Sequence, residues 1–399
     1  MSNNASTTTP TNPTRVFTNE DIADFNAQFH KLVDDCKLAN VVTLIAHRGK
    51  IVNCDAYGVL DVSAAPPIPV RTDSIFRIAS MTKPITSAAM MMLWEEDKWA
   101  LDDPVSKFVP EFEGLKVKRE EDGELVPQET QMTMRHLMSH SAGFGSRSEY
   151  ADLDLRGGTL QDMIDTLAVR PLSFQPGKEW RYGYSVDIQG YIIQKLTGKF
   201  LDEFLEERLF APLGMVDSGF FAPAEKVERL VSIHKYNEIK ELVAVDRKGT
   251  YNTSRPNFLA GGGGLMLSTV TDFWRFSQMI LNGGEFEGRR YLKESTVELM
   301  HTQALEAGVK MKMFRRPLDG LGFGLGFAIV QDSVAAKTAM EVGSYFWAGL
   351  YGTWFWIDPG KELVVVGLIN HVIGLPPIEV PSVRELSAES VYRILNRER

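Results

Sequence analysis

The hydrophobic positions of this chain are spaced as in helices at both ends, and short runs between them alternate or stay apolar as in strands. The N-terminal stretch "NEDIADFNAQFHKLVDDCKLA" has apolar residues three and four apart, which predicts an amphipathic helix with Asn19 as its cap. The next two apolar runs, "VVTLIAH" and "IVNCDAYG", are separated by "RGK". This pattern predicts a β-hairpin.

A long apolar helix is predicted from "PITSAAMMMLWEEDKWA", which directly follows "FRIASMTK". Its buried side would carry Ile85, Ala88 and Met92. Pro84 lacks a backbone N–H, which a helix tolerates only near its first turn. Ser80 is therefore expected at or next to the N-terminus of this helix.

The remaining segments complete a predicted α/β (α+β) fold. Residues 100 to 260 indicate mostly helices, with "KVKREEDGELVPQET" as a solvated hairpin or loop. Near the C-terminus, "GLGFAIVQ", "GTWFWID" and "ELVVVGLIN" indicate strands, and "SVRELSAESVYRILN" indicates an amphipathic helix. We expect one antiparallel sheet flanked by helices and built from both termini, plus an all-helical domain. The predicted division is a disordered tail at 1–16, a sheet domain from 17–80 and 260–399, and a mostly helical domain at 81–259.

Composition and charge narrow the possible partners. The 399 residues carry a net charge of −9, which argues against binding to nucleic acid or to anionic membrane surfaces. No apolar run is long enough to span a bilayer, and the polar N-terminus does not resemble a secretory signal. Two cysteines, Cys36 and Cys54, provide neither a disulfide framework nor a cysteine metal site. We expect a cytoplasmic protein that acts on a small molecule without a cofactor, and its oligomeric state is left open.

Ser80 and Lys83 are the first candidates for chemistry. Residues three apart share a helix face with Cβ atoms roughly 5–6 Å apart, so the two side chains can meet. A neutral lysine can take the proton of a serine hydroxyl, and a helix N-terminus favours the negative charge that follows. The simpler alternative is a helix cap beside a surface lysine. The spacing also occurs at Ser232 and Lys235, where no apolar helix follows and no site is expected.

A wider series of motifs resembles the serine β-lactamase-like family. In order, these are "FRIASMTKPIT", "RHLMSHSAGF", "PGKEWRYGYSVDIQGYIIQKLTG", "FLEERLFAPLGM" and "GGGGLMLSTVTDFWRF". Within that family the chain most resembles family VIII carboxylesterases and related acyltransferases, which are relatives of class C β-lactamases and D,D-peptidases. The resemblance extends from about residue 20 to residue 395. It implies the same fold: an α/β domain from both termini and a helical domain.

The resemblance implies a set of catalytic residues. Ser80 would be the acylated nucleophile and Lys83 its basic partner. The segment "WRYGYSVDIQG" would supply the tyrosine of the general base. Tyr182 fits the esterase spacing better than Tyr184, which stays open as the alternative tyrosine or as a substrate-binding residue.

The resemblance also implies a substrate-binding strand. Trp347, Ala348 and Gly349 stand where β-lactamases carry Lys-Thr-Gly, and the segment "KTA" at 337–339 lies too early and lacks the glycine. The N–H groups of Ser80 and Leu350 would form the oxyanion hole. The absence of a lysine in this strand, and of an asparagine after Tyr182, disfavours β-lactams and favours neutral esters.

The predicted function is a serine carboxylesterase that hydrolyses short-chain acyl esters through an acyl-enzyme. The alternatives within the family are a β-lactamase, a D,D-peptidase, or an acyltransferase to an alcohol acceptor. A scaffold that kept the fold without the activity is a non-enzymatic alternative. It is disfavoured because Ser80, Lys83 and a suitable tyrosine are all present.

The sequence disfavours three other types of site. A serine triad with Asp358 and His371 lacks any G-x-S-x-G segment. His136 and His140 have the spacing of a zinc pair but lack the glutamate of H-E-x-x-H. The four glycines at 261–264 lack the following Lys-Ser/Thr of a phosphate loop, and predict a turn close to the pocket.

Overall fold

The structure is a computed structural model. It describes residues 17–145, 149, 158–246, 253–259, 261–262, 266–313, 316–372 and 380–397. The predicted disordered tail at 1–16 lies outside these ranges, as do the glycines at 263 and 264. The division into a sheet domain and a helical domain stays a prediction.

Helices are distributed along the whole described chain. They are α1 (Asn19–Asp34), α2 (Thr82–Glu95), α3 (Met134–Met138), α4 (Leu160–Ala168), α5 (Ser185–Thr197), α6 (Leu201–Leu205), α7 (Ala211–Leu213), α8 (Val270–Leu281), α9 (Glu294–Met300) and α10 (Val383–Leu395).

Within the described residues, the strands form one large sheet and five two-stranded ribbons. They are β1 (Asn40–His47), β2 (Lys50–Gly58), β3 (Phe76–Arg77), β4 (Val117–Lys118), β5 (Leu125–Val126), β6 (Ile233–Tyr236), β7 (Leu242–Asp246), β8 (Leu267–Ser268), β9 (Glu285–Phe286), β10 (Arg289–Arg290), β11 (Lys312–Met313), β12 (Arg316–Pro317), β13 (Leu321–Phe323), β14 (Ala328–Val330), β15 (Tyr345–Ala348), β16 (Trp354–Asp358) and β17 (Leu363–Leu368). Within the described ranges, seven of these strands form one antiparallel sheet in the order β13-β14-β15-β16-β17-β1-β2. The predicted antiparallel sheet from both termini is therefore confirmed.

Helices cover both faces of this sheet. Successive side chains on a strand point to opposite faces, so Trp354 and Phe355 on β16 show what lies on each side. Trp354 stacks on Phe29 of α1 at 6.0 Å, whereas Phe355 contacts Phe273 of α8 at 4.9 Å. Gly367 on β17 leaves room for the Trp354 ring, because a Cβ atom there would lie 2.0 Å from it.

Several local predictions are confirmed and two need correction. β1 and β2 form the predicted hairpin, and β4 with β5 forms the hairpin in the charged stretch. The cap of α1 is Thr18 rather than Asn19, because the Thr18 hydroxyl accepts from the Asp21 N–H while the Asp21 carboxylate accepts from the Thr18 N–H. The middle of the chain also contains the β6–β7 hairpin, so it is less uniformly helical than predicted.

Helix α2 lies in the interior and is buried on all sides from Thr82 to Leu93. A helix that is apolar around its whole circumference is expected to be buried in this way. Helix α2 also packs against α5, which comes from the middle of the chain. The N-terminus of α2 therefore lies where the sheet and the helices of the middle segment meet. Among the described helices, none has the length and hydropathy needed to cross a membrane.

Candidate active site

A short ribbon leads the chain to Ser80. Strand β3 pairs with β8, and the Ile78 N–H continues this pairing by donating to the Met266 carbonyl at 3.0 Å. Ser80 then lies in a single 3₁₀ turn, Ala79–Met81, directly before α2. Ala79 has a φ of 48°, in the left-handed region that disfavours residues other than glycine. The predicted position of Ser80 next to the helix N-terminus is confirmed.

Lys83 lies one turn further along and faces Ser80. Its Nζ is 3.3 Å from Ser80 Oγ and also donates to the Gly262 carbonyl. Lys83 is 4% exposed, whereas Ser80 is half-buried. The lysine is therefore an interior group, and the alternative of a surface lysine beside a helix cap is wrong.

Tyr182 completes the contact with Lys83. Lys83 Nζ lies 4.4 Å from the centre of the Tyr182 ring, and the Trp347 indole N–H donates to the Tyr182 hydroxyl at 3.3 Å. Tyr184 is 4% exposed, belongs to the main hydrophobic core and precedes α5. Of the two tyrosines weighed from the sequence, Tyr182 is the one whose ring contacts the lysine. A substrate-binding role for Tyr184 stays a prediction.

A cluster of rings surrounds Tyr182, and sequence reasoning missed it. His140 lies 5.2 Å from Tyr182 and 5.4 Å from Phe323, while Phe323 lies 5.5 Å from Trp347. Burial, reinforced by the Lys83 charge, lowers the pKa of His140 to about 3, so this imidazole is neutral at ordinary pH. Neither of its ring nitrogens has a hydrogen-bond partner among the described residues. In the sequence, His140 follows a serine in an apolar segment, and nothing in that pattern indicates that its ring packs against Tyr182.

The end of β15 lies against the backbone that precedes Ser80. A Cβ atom on Gly349 would lie 2.5 Å from the Ile78 carbonyl oxygen and 3.3 Å from the Ala79 Cβ, so only glycine fits there. The Gly349 N–H donates to the Thr353 carbonyl at 2.7 Å, which turns the chain sharply. Leu350 follows in this turn with its side chain 63% exposed. The backbone at Gly349 is thus brought beside the Ser80 turn, and Ala348, half-buried, ends the strand.

The disfavoured candidates have other partners. The His136 ring accepts from the Thr133 N–H at 3.2 Å and lies 3.6 Å from the Glu306 carboxylate, so it does not join His140 around one point. Within the described ranges no three His, Cys, Asp or Glu side chains are arranged to hold a metal ion. Thr338 of the "KTA" segment donates to Glu385 of α10 at 2.7 Å.

Asp358 and His371, the residues of the disfavoured serine triad, have structural contacts elsewhere. Asp358 accepts from the Tyr392 hydroxyl and from the Lys361 N–H. The His371 ring lies 5.1 Å from that of Tyr236, and burial lowers the pKa of this histidine to about 4. These contacts anchor the C-terminal strands and the β6–β7 hairpin.

The structure thus brings Ser80, Lys83, Tyr182 and Trp347 together, next to the Gly349–Leu350 turn. Lys83 contacts both the Ser80 hydroxyl and the Tyr182 ring, and an amine placed in this way can take a proton from a hydroxyl group. The catalytic roles of these residues stay predictions.

Comparisons with known proteins identify chains that are similar to this one over most of their length. A family model described as beta-lactamase matches residues 25–385. Protein Rv1367c of Mycobacterium tuberculosis is 32% identical over 86% of this chain and 89% of its own length. Esterase EstB of Burkholderia gladioli is 30% identical over 87% of this chain and 90% of its own length.

A solved structure shows the same fold. EstCE1, described as a hydrolase with promiscuous acyltransferase activity, superposes with a TM-score of 0.79 at 23% sequence identity. The match covers 94% of this chain and 99% of EstCE1.

Proposed function

Because this chain belongs to the β-lactamase family and is a serine hydrolase of that family, we propose that it is a carboxylesterase that hydrolyses short-chain acyl esters. The observation that carries the proposal is the contact of Ser80, Lys83 and Tyr182, with Lys83 Nζ 3.3 Å from Ser80 Oγ. The similarity to EstB, which is named an esterase, supports the choice of an ester as substrate.

In the first half of the reaction, Ser80 Oγ attacks the ester carbonyl carbon. Lys83, acting as the neutral amine and assisted by Tyr182, takes the hydroxyl proton as the bond forms. The tetrahedral intermediate then collapses, the carbon–oxygen bond to the alcohol breaks, and the proton passes to the departing alkoxide. The result is an acyl group on Ser80 and a free alcohol.

In the second half, water replaces the alcohol. Lys83 and Tyr182 accept a proton from water as its oxygen attacks the acyl carbon, and the proton returns to Ser80 Oγ when the acid leaves. The N–H groups of Ser80 and Leu350 would hold the carbonyl oxygen in both halves, and a donor of this kind contributes roughly 3–4 kcal/mol. The closeness of Gly349 to the Ile78–Ala79 backbone supports this pairing of amides.

In this chain Trp347 matches the motif position at which β-lactamases carry a lysine, and the lack of a cation there argues for neutral esters. Trp347 donates its N–H to Tyr182 instead of offering a cation to a substrate carboxylate. The rings of Tyr182 and Trp347 also leave less room beside Ser80 than small side chains would, which favours short acyl groups. A β-lactamase or D,D-peptidase activity is therefore the weaker alternative.

Acyl transfer to an alcohol is the second candidate. It uses the same acyl-enzyme and differs only in the acceptor of the second half. EstCE1, which shares the fold, is described as having promiscuous acyltransferase activity. Product analysis with p-nitrophenyl butyrate in water and in the presence of a primary alcohol separates hydrolysis from transfer.

The test of the main proposal combines turnover and labelling. Wild-type protein should hydrolyse p-nitrophenyl butyrate far faster than a chromogenic cephalosporin, and a fluorophosphonate should add once, at Ser80, by mass spectrometry. Lys83→Ala or Tyr182→Phe should abolish turnover and leave the circular dichroism spectrum intact. Labelling at another residue, or equal turnover by Lys83→Ala, contradicts the mechanism.

A further inference from the structure

The peptide of Gly261 and Gly262 connects Lys83 to a second helix. On one side, the Thr86 hydroxyl of α2 donates to the Gly261 carbonyl at 2.9 Å. On the other side, the Gly262 N–H donates to the Asp187 carboxylate of α5 at 2.8 Å. The Gly262 carbonyl then accepts from Lys83 Nζ. Two helices therefore hold the group that receives a hydrogen bond from the lysine.

Asp187 lies directly against this peptide. A Cβ atom on residue 262 would lie 2.5 Å from the Asp187 carboxylate, so the close approach requires glycine. Asp187 is completely buried. Burying a carboxylate costs free energy unless it accepts strong hydrogen bonds, and charge-assisted bonds from backbone N–H groups are of that kind. Asp187 is also the third residue of α5, where the helix N-terminus favours a negative charge.

The Gly262 carbonyl determines how the Lys83 amine is oriented. A neutral amine has two N–H groups and one lone pair, and an ammonium has three N–H groups and no lone pair. In both states one N–H of Lys83 donates to the Gly262 carbonyl. The other N–H groups, or the lone pair of the neutral amine, can then face Ser80 Oγ, which is 3.3 Å away. If the peptide turns away, the lone pair no longer meets the serine proton.

We infer that Asp187 is a positioning residue for the acylation of Ser80, acting on Lys83 through the peptide of Gly262. The inference rests on the proposed function. Asp187 does not touch the reacting atoms. It holds Gly262 in place, and the Gly262 carbonyl orients the Lys83 amine.

Asp272 provides a matched control outside the site. It is the third residue of α8, as Asp187 is of α5, and it is 4% exposed. Its carboxylate accepts from the Asp217 N–H at 2.8 Å and from the Ser218 hydroxyl at 2.9 Å. The two carboxylates therefore occupy the same position in their helices, and each accepts from a backbone N–H group. Only Asp187 is connected to Lys83.

The experiment measures how fast a fluorophosphonate labels Ser80 in Asp187→Ala, Asp187→Asn and Asp272→Ala. Varying the fluorophosphonate concentration separates the limiting labelling rate from the half-saturating concentration. We expect Asp187→Ala to lower the limiting rate about 100-fold with little change in half-saturation, because misplacing a reacting group by about 1 Å has that effect. Asp187→Asn keeps an oxygen that can accept from Gly262 and should restore the rate to within about tenfold of wild type. Asp272→Ala should lower the melting temperature and leave the limiting rate of the folded fraction unchanged.

Several results would overturn the inference. A limiting rate for Asp187→Ala within threefold of that for Asp272→Ala would show a structural role only. Equal losses in Asp187→Ala and Asp187→Asn would show that charge, not position, matters. If Asp187→Ala does not fold, Thr86→Val removes the other hold on the peptide and should lower the limiting rate about tenfold; an unchanged rate contradicts the inference. Wild-type protein that is neither labelled nor active would overturn the proposed function itself, and the inference with it.

Discussion

The same spacing of serine and lysine occurs twice in this chain with opposite results. Ser80 lies in the 3₁₀ turn directly before buried helix α2, Lys83 lies in the first turn of that helix, and Lys83 Nζ is 3.3 Å from Ser80 Oγ. Ser232 precedes strand β6, which contains Lys235, and this serine is completely buried. The Ser232 hydroxyl donates to Asp61 at 2.8 Å, whereas Lys235 is exposed.

The difference shows that backbone conformation decides whether a serine and a lysine three residues apart can contact each other. In a helix, residues three apart lie on one face, whereas in an extended chain they point to opposite faces. The first pair therefore meets and the second cannot. Ser80 also keeps access to solvent at a helix N-terminus, while the Ser232 hydroxyl donates a hydrogen bond to the Asp61 carboxylate in the interior. Each contrast can be tested by changing the matching residue in both segments.

Replacing each serine should give the largest contrast. Ser80→Ala should lower kcat/KM for p-nitrophenyl butyrate by at least about 10⁴-fold, because the acyl-enzyme can no longer form. Ser232→Ala should leave kcat/KM within about twofold and lower the free energy of unfolding by about 1–3 kcal/mol, because it deprives buried Asp61 of a donor. Steady-state kinetics and urea unfolding of both variants measure these effects. Loss of activity in a folded Ser232→Ala variant would contradict the comparison.

The Trp347 indole, which donates to the Tyr182 hydroxyl, should have the next largest effect. Trp347→Phe keeps the ring but removes the N–H that donates to Tyr182, so negative charge on the phenol oxygen is less stabilised. We expect kcat/KM to fall about tenfold, which is about 1.4 kcal/mol. Trp356→Phe is the control, because the Trp356 N–H donates at 3.0 Å to Ser387, and neither residue belongs to the proposed site. Equal activity losses in the two variants would show that ring packing, not the hydrogen bond to Tyr182, matters.

Each of the two segments has a buried histidine nearby, His140 beside Tyr182 and His234 two residues after Ser232, and both should make stability fall in acid. The pKa of His140 is about 3 in the folded protein, because of burial and the Lys83 charge, against about 6.5 when unfolded. Between these values the unfolded chain binds a proton that the folded chain does not, so stability falls as pH falls, by about 1.4 kcal/mol per pH unit.

Asparagine removes this titration and tolerates the left-handed backbone of His140, whose φ is 60°. Between pH 6.5 and 5, His140→Asn should therefore lose about 1.6 kcal/mol less than wild type in urea unfolding. His234 lies beside the Ser232 segment; burial lowers its pKa, while Asp61 opposes the shift. His234→Asn should reduce the pH slope by a smaller amount and leave kcat/KM unchanged. A His140→Asn variant with the wild-type slope would contradict this account.

The sequence was sufficient for the elements that depend on local pattern. The apolar spacing of α1 and α2, the β1–β2 hairpin and the position of Ser80 before a helix all follow from residues close together in the chain. The resemblance of motifs placed Tyr182 and Trp347 in the same site, although they are 165 residues apart.

What the sequence did not predict depends on contacts between distant segments. His140 enters the ring cluster only when the segment after α3 folds against β13, and a single histidine carries no sign of that. In the sequence, Asp187 has only the pattern of an acidic residue in the first turn of a helix. Its contact with the Gly262 N–H is visible only in the structure. The helix cap was misplaced by one residue because Thr18 and Asn19 are both good capping residues, and only the reciprocal bonds with Asp21 decide between them.

The residue before each serine should show the smallest effect, and here several contributions nearly cancel. Ala79 holds a left-handed backbone that costs an alanine about 1–2 kcal/mol, a cost that Ala79→Gly removes. Glycine loses about 0.4–1 kcal/mol through its freer unfolded chain, and deleting the buried methyl loses about 0.8 kcal/mol. We therefore expect the free energy of unfolding to change by less than about 0.5 kcal/mol. Val231 is completely buried and its N–H donates to the Ile75 carbonyl at 2.9 Å, with no such strain to relieve, so Val231→Gly should cost about 3 kcal/mol. Urea unfolding of both variants tests this; a loss of about 1.2–1.8 kcal/mol in Ala79→Gly would mean that the turn before Ser80 stores no strain.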